Sequence, residues 1–268
     1  VRLVIRAGLS LPIFDELADP RLLGDLGAEA EAAGWDGVFV WDHVYYRDPV
    51  RAVTDPWTAM ACIAVQTSRV LLGPMVTPVA RRRPHVLARQ VVALDRLSGG
   101  RFVLGVGLGL DASGNELSRF GEELDDRTRA EMLDEGLALV RGLISGEHVD
   151  HAGDHFTARD VTFAPAAGNG SVPVWVGARW PYQRPLRRAA AHDGLFIIDT
   201  ASPDDLRRAL DVVVAARGGI DGYDVVVQLD AGQDPQPWEE AGATWWFTRI
   251  DPFGLTGASV RERIRAKA

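Results

Sequence analysis

Short runs of β-branched and other apolar residues alternate along the chain with longer stretches whose apolar positions recur at helical spacing. Eight runs read as strands: residues 3–9, 37–41, 70–76, 102–108, 174–177, 194–198, 223–229 and 244–248. Their nearly unbroken apolar sequences suit parallel strands covered on both faces. Eight amphipathic stretches alternate with them and read as helices: residues 20–33, 56–67, 84–97, 126–143, 185–192, 203–217, 235–241 and 259–267. Three open on a capping residue followed by proline, Asp19-Pro20, Asp55-Pro56 and Ser202-Pro203, where a fixed φ and a missing N–H suit a first helical turn. Eight strands, each followed by a helix, predict a closed (β/α)8 TIM barrel rather than an open doubly wound sheet.

One segment breaks the rhythm. Residues 145–172 carry too many turn formers for a simple βα loop, and they predict a hairpin-like excursion through Val149, Phe156 and Phe163, between the fourth helix and the fifth strand. With no Ser/Gly linker elsewhere, residues 1–268 read as a single domain.

Composition then narrows the chemistry. A formal charge of -8 argues against a long nucleic-acid footprint and for a small-molecule partner. Lys267 is the only lysine, which leaves no candidate for Schiff-base catalysis inside the barrel. Cys62 is the only cysteine, so no intrachain disulfide, CxxC pair or cysteine-rich zinc site can be built. Residues 1–11 lack the sustained apolar region of a signal peptide, and no run approaches a membrane span. These features predict a cytoplasmic protein.

In a barrel, the working residues sit where strands end and helices have not yet begun. At the first such place, Gly8 and Ser10 either leave room for a flat ring or simply make a turn. The second strand ends Trp41-Asp42-His43. An acid and an imidazole side by side at the rim point to proton transfer by His43 and to ligand contact by Asp42, although the same pair also suits a capped loop with an exposed histidine. The third strand ends Gly73-Pro74-Met75-Val76-Thr77-Pro78, where the glycine and prolines predict an irregular backbone against which a planar ligand could lie. The following Arg81-Arg82-Arg83 reads as a solvated helix entrance. Gly107-x-Gly109-x-x-Ala112, at the end of the fourth strand, matches a dinucleotide fingerprint loosely. It stands on the wrong strand for that role and reads better as close approach of a ligand to glycine. Gly177-Ala178-Arg179, followed by a helix carrying Arg184, Arg187 and Arg188, is the best phosphate candidate. His148, His151 and His155 flank a Gly153-Asp154 turn and read as an exposed hairpin in preference to a metal site. Trp41, Tyr45, Tyr46, Trp180 and Tyr182 gather near strand ends and suit an apolar substrate cleft, with Trp41, Tyr45 and Trp180 singled out.

Taken in order, these motifs resemble the luciferase-like monooxygenase family, including its F420-dependent reductases and dehydrogenases. The likeness runs through Gly34-Trp35-Asp36-Gly37-Val38-Phe39-Val40-Trp41-Asp42-His43, Asp55-Pro56-Trp57, Leu72-Gly73-Pro74-Met75-Val76-Thr77-Pro78, Leu94-Asp95-Arg96-Leu97-Ser98-Gly99-Gly100-Arg101, Gly105-Val106-Gly107 and Val174-Trp175-Val176-Gly177. It covers most of residues 1–200, and Pro74 stands where the family often has a small residue. The resemblance implies a flavin- or F420-dependent oxidoreductase, with FMN or F420 at the barrel mouth. Asp42 and His43 would lie beside the ring, Met75, Val76 and Thr77 against its face, and Gly8 and Gly107 along the cofactor, with Gly177, Ala178 and Arg179 at the phosphate. It also implies a small organic substrate that is reduced or oxygenated, a partner reductase supplying reduced cofactor, and a homodimer. A non-catalytic flavin-binding barrel and a cofactor-free barrel hydrolase are the competing readings.

Overall fold

A computed structural model describes residues 5–267. Its strands are β1 (Arg6–Leu11), β2 (Gly37–Val40), β3 (Leu71–Pro74), β4 (Thr77–Pro78), β5 (Leu104–Gly107), β6 (His148–Ala152), β7 (Thr157–Thr162), β8 (Val174–Arg179), β9 (Gly194–Ile198), β10 (Asp224–Leu229) and β11 (Trp245–Thr248). The α-helices are α1 (Pro20–Ala32), α2 (Pro56–Gln66), α3 (Pro84–Ser98), α4 (Glu116–Arg119), α5 (Asp126–Ser145), α6 (Gln183–Ala189), α7 (Pro203–Arg217), α8 (Gln236–Glu240) and α9 (Gly257–Arg265). Nine parallel segments pair in the order β3-β2-β1-β11-β10-β9-β8-β5-β4. β3 and β4 are two parts of one strand, interrupted at Met75 and Val76, whose shared peptide is cis. Leu72 bridges in parallel to Phe102, and Val103 N–H donates to the Leu72 carbonyl at 2.9 Å. Thr77 pairs with Val106 of β5. The ring of pairings therefore closes as the eight-stranded parallel barrel that the alternation predicts.

Several boundaries shift by a few residues from expectation, and two concern the first and third strands. The first two residues of the predicted first strand lie outside the described residues. The predicted third strand, 70–76, stops at Pro74 because the chain must cross β5 there. A Cβ on Gly73 would lie 1.9 Å from the Val103 carbonyl oxygen, and one on Gly105 would lie 2.1 Å from that of Pro74. Only glycines permit this backbone contact, and Pro74 has no N–H with which to continue the ladder.

Alternation divides the side chains into two layers. Leu9, Val38, Leu72, Leu104, Val176, Leu195, Val227 and Trp246 face the helices in the larger core. Phe39, Met75, Val103, Trp175, Phe196, Val226, Trp245 and Phe247 fill the lumen. Phe39 stacks on Phe247 at 4.8 Å and on Trp175 at 5.4 Å. Burying each such ring contributes about 1.5–3 kcal/mol, so the barrel is a solid plug below its mouth.

The proline-marked helix starts are capped. Asp19 accepts from Arg21 N at 2.9 Å, Asp55 from Thr58 N at 2.7 Å and Ser202 from Asp205 N at 3.2 Å. Between α5 and β8, β6 and β7 form an antiparallel pair that docks on α5. There Glu135 accepts from His155 N at 2.9 Å and Phe156 N at 2.7 Å. At the N-terminal end of the barrel, the loop entering β3 is clasped from both sides. Glu31 accepts from the N–H groups of Ser68, Arg69 and Val70 at 3.0, 2.6 and 2.9 Å. Arg101 donates to the carbonyls of Ala64, Thr67, Val70 and Ser98 at 2.7–3.0 Å. Among the described residues no helix is long and apolar enough to cross a membrane.

Candidate functional site

At the C-terminal end of the barrel, β2 delivers Trp41, Asp42 and His43 in succession, and each is held differently. The Trp41 indole N–H donates to Ser10 Oγ of β1 at 3.1 Å, tying the two strand ends together. Asp42 is buried. Its carboxylate accepts from Thr77 Oγ1 at 2.6 Å, from Arg81 Nη2 at 2.7 Å and from Arg82 Nη2 at 2.7 Å. Arg81 turns its other nitrogen to Glu116 Oε1 at 2.6 Å, and Glu116 Oε2 lies 2.9 Å from His43 Nδ1. The N–H groups of Val44 and Tyr45 also donate to Glu116 Oε1. A continuous polar chain results, running from Thr77 through Asp42, the two arginines and Glu116 to His43, with two guanidinium cations against two carboxylates. Deleting any one of these charges would leave a partner buried and uncompensated, a loss of about 3–5 kcal/mol. Burial pushes the Glu116 carboxyl up, but the His43 hydrogen bond and charge, Arg81 and the Val44 N–H outweigh it and hold the group below the usual carboxylate range.

The imidazole is walled by aromatic rings. Phe14 stacks on Tyr46 at 4.5 Å, Tyr46 meets the His43 ring edge-on at 5.0 Å, and Trp41 lies 6.1 Å away. Phe253, from the loop after β11, closes on Tyr46 at 6.3 Å. Burial raises the Tyr46 hydroxyl above its ordinary value, so it stays a neutral phenol. Beyond this wall, a cleft of about 260 Å³ is floored by Arg81 and Arg82 and sided by Val44, Phe120 and Glu122.

Several residues expected at the ligand have other neighbours. Gly8 does not leave room for a ring, because a Cβ there would lie 2.2 Å from the Phe247 side chain that fills the lumen. Gly107 and Gly177 face Val76, whose methyl carbons would lie 2.6 and 3.2 Å from the respective Cβ positions. The open shelf of the mouth is thus Val76 itself, with Ile198, both partly exposed above the plug. Met75 is part of the plug, Thr77 is buried with its hydroxyl on Asp42, and Ala178 faces the helix layer. Arg179 is half exposed and paired with Asp199 at 2.7 Å. Arg187 is bonded to Gln183 at 2.9 Å and Arg188 to Asp134 at 3.1 Å, which leaves the expected phosphate cluster dispersed.

Tyr45, expected to line a substrate cleft, lies under Arg119 at 4.9 Å, and the tyrosine beside His43 is Tyr46. Trp180 turns outward beneath Arg208, at 5.6 Å, and packs on the helix-side core. Arg81 and Arg82, read from sequence as solvated, are mostly buried ion-pair partners. Among the described residues no group of three or more His, Cys, Asp or Glu is arranged for a metal ion. His148, His151 and His155 approach Asp160, Glu135 and Glu131 at 3.8, 3.0 and 3.9 Å.

The barrel agrees with a comparison to known proteins, in which the family model of the luciferase-like monooxygenases matches residues 6–233. The chain belongs to that family. This luciferase-like protein is 31% identical over 224 residues to an F420-dependent glucose-6-phosphate dehydrogenase of Nakamurella multipartita, covering 80% of this chain and 64% of that one. It is 29% identical over 186 residues to a 5,10-methylenetetrahydromethanopterin reductase of Methanolobus tindarius, covering 69% and 52%. The chain therefore spans about two thirds of the first relative's length and half of the second's. Among solved structures, an F420-dependent secondary alcohol dehydrogenase superposes with a TM-score of 0.80 at 16% identity over 98% of both chains. The coenzyme F420-dependent tetrahydromethanopterin reductase of Methanopyrus kandleri gives 0.77 at 16%, also over 98% of both chains. These two likenesses establish the shared fold.

Proposed function

We propose that this luciferase-like protein is an F420-dependent oxidoreductase that exchanges hydride with a small organic substrate at the barrel mouth, with His43 Nε2 as the proton-exchanging atom. The observation that carries this reading is the placement of His43. One ring nitrogen is engaged by Glu116, the other has no partner among the described residues, and the partly exposed ring stands at the strand-end rim of the barrel, the end where Val76 and Ile198 top the plug. The relatives named as F420-dependent support the deazaflavin over FMN.

The residues fit a planar cofactor. Val76 and Ile198 offer a partly exposed apolar floor, and His43 supplies a polar edge on the β2 side, where Trp41 and Ser10 tie the two strand ends together. When bound, F420 carries or accepts the hydride; the protein supplies orientation, dryness and the proton. Phe14, Trp41, Tyr46 and Phe253 keep bulk water from the imidazole flank. In this reading Asp42 acts at one remove, since its oxygens are occupied by Thr77, Arg81 and Arg82. It fixes the β2 end against the loop that follows β4 and leaves proton exchange to His43.

Side-by-side equilibrium titration with F420 and FMN, read by absorbance and fluorescence and followed by turnover, tests the reading. Tight binding of F420 with substrate-linked change in its oxidation state is the expected result. Preference for FMN would replace the deazaflavin with a flavin. Binding without turnover would favour a cofactor-binding barrel, and no binding of either would favour a hydrolase.

A further inference from the structure

Glu116 lies 73 residues from His43 in sequence, at the start of the short helix α4, and only the fold brings them together. Its carboxylate is over-determined. Oε1 receives Arg81 Nη1 at 2.6 Å and the N–H groups of Val44 and Tyr45, which leaves Oε2 for the imidazole at 2.9 Å. Glu116 is only 2% exposed, so it does not reach the mouth. An ionised carboxylate has no proton to give, so the ring nitrogen facing it must carry one. The neutral imidazole is then forced to hold its hydrogen on Nδ1, and the lone pair falls on Nε2.

We propose that Glu116 is the positioning residue of this site: through Nδ1 it fixes the tautomer and orientation of His43, so that Nε2 is the atom that accepts and returns the proton. The proposal deepens the oxidoreductase reading and rests on it for the identity of the reaction, but the tautomer itself does not depend on any cofactor. Arg81 belongs to the same device. It bridges Glu116 to Asp42 and keeps the glutamate charged, while Asp42 and Arg82 balance each other behind it. Tyr46 meets the ring edge-on, and Arg47 and Asp251 act on the Tyr46 hydroxyl in opposite senses.

Imidazole nitrogen NMR on the intact protein, without cofactor and with the imidazole neutral, tests the proposal. The expected signature is a predominantly Nδ1–H tautomer for the resonance that vanishes in His43→Ala. An Nε2–H tautomer there would overturn the proposal, and that measurement needs no variant at position 116. In Glu116→Gln, whose amide can donate to Nδ1, the Nδ1–H preference should disappear. With F420 and substrate, Glu116→Gln should lower kcat about 10- to 100-fold and leave KM within about threefold. Glu116→Asp, which keeps the charge, should recover most of the tautomer preference. An unchanged tautomer in Glu116→Gln would reject the positioning role. Loss of turnover with the tautomer result intact would count against the oxidoreductase reading alone.

Discussion

The two ends of the barrel spend their charges differently. At the N-terminal end, Glu31 and Arg101 give nearly every hydrogen bond to backbone N–H and C=O groups of the loop entering β3. At the C-terminal end, Asp42, Arg81, Arg82 and Glu116 bond mainly to one another and to His43. The first arrangement satisfies orphan backbone groups and closes the chain on itself. The second is a self-balanced frame around a ring with one nitrogen left over, which is how a fold holds a reactive group without consuming it. Substitutions at the two ends should therefore separate stability from turnover.

The largest effect should fall at the upper end. His43→Ala is expected to lower kcat by about 10²–10⁴ while the thermal midpoint moves by only a few degrees, measured by turnover and calorimetry side by side. A comparable loss of stability would erase the division between the two ends. Next comes Arg101→Met, which strips donors from the carbonyls of residues 64, 67, 70 and 98. Urea unfolding should show a loss of about 2–4 kcal/mol, with cofactor affinity and kcat retained.

Glu31→Gln should cost about 1–2 kcal/mol at neutral pH, reduced from the full effect of its hydrogen bonds because the group is partly solvated. Although burial pushes the Glu31 carboxyl up, the N–H groups of Val70, Arg69 and Ser68 hold it at about 2, against an ordinary 4.5. A carboxyl whose folded value is depressed stabilises fully above its unfolded value and loses that contribution as pH falls through the folded one. The gap in urea midpoint between wild type and Glu31→Gln should thus be constant above pH 5 and shrink steadily from about pH 4.5 to pH 2. The smallest effect belongs to Tyr45→Ala. Because that ring meets only the Arg119 guanidinium, stability should drop by less than about 1 kcal/mol and turnover should hold. A large kcat loss would return Tyr45 to the site and displace Tyr46.

Most of the architecture was legible because barrel strands and helices announce themselves locally. Asp19-Pro20, Asp55-Pro56 and Ser202-Pro203 each begin a helix where the sequence places one. The irregular third strand was also visible in Gly73-Pro74, though not the crossing of β5 that causes it. The site was less legible, and the failures share a cause. Strand-end position singled out His43, but its partner Glu116 opens a helix of only four residues, too short to show periodicity, and nothing local distinguishes it from Glu122 or Glu123. A run of three arginines looks solvated when the carboxylates that neutralise Arg81 and Arg82 come from elsewhere in the chain. The glycines misled for the opposite reason. A missing Cβ announces that something is close, and at Gly8, Gly107 and Gly177 the neighbour is Phe247 or Val76.

The aromatic packing that fills the lumen also governs traffic. A barrel stopped from below is a cul-de-sac with one door, so a ligand on the Val76 shelf is reached from the mouth alone. If cofactor and substrate stack there as proposed, the one that lies deeper enters first and leaves last, which predicts an ordered kinetic sequence.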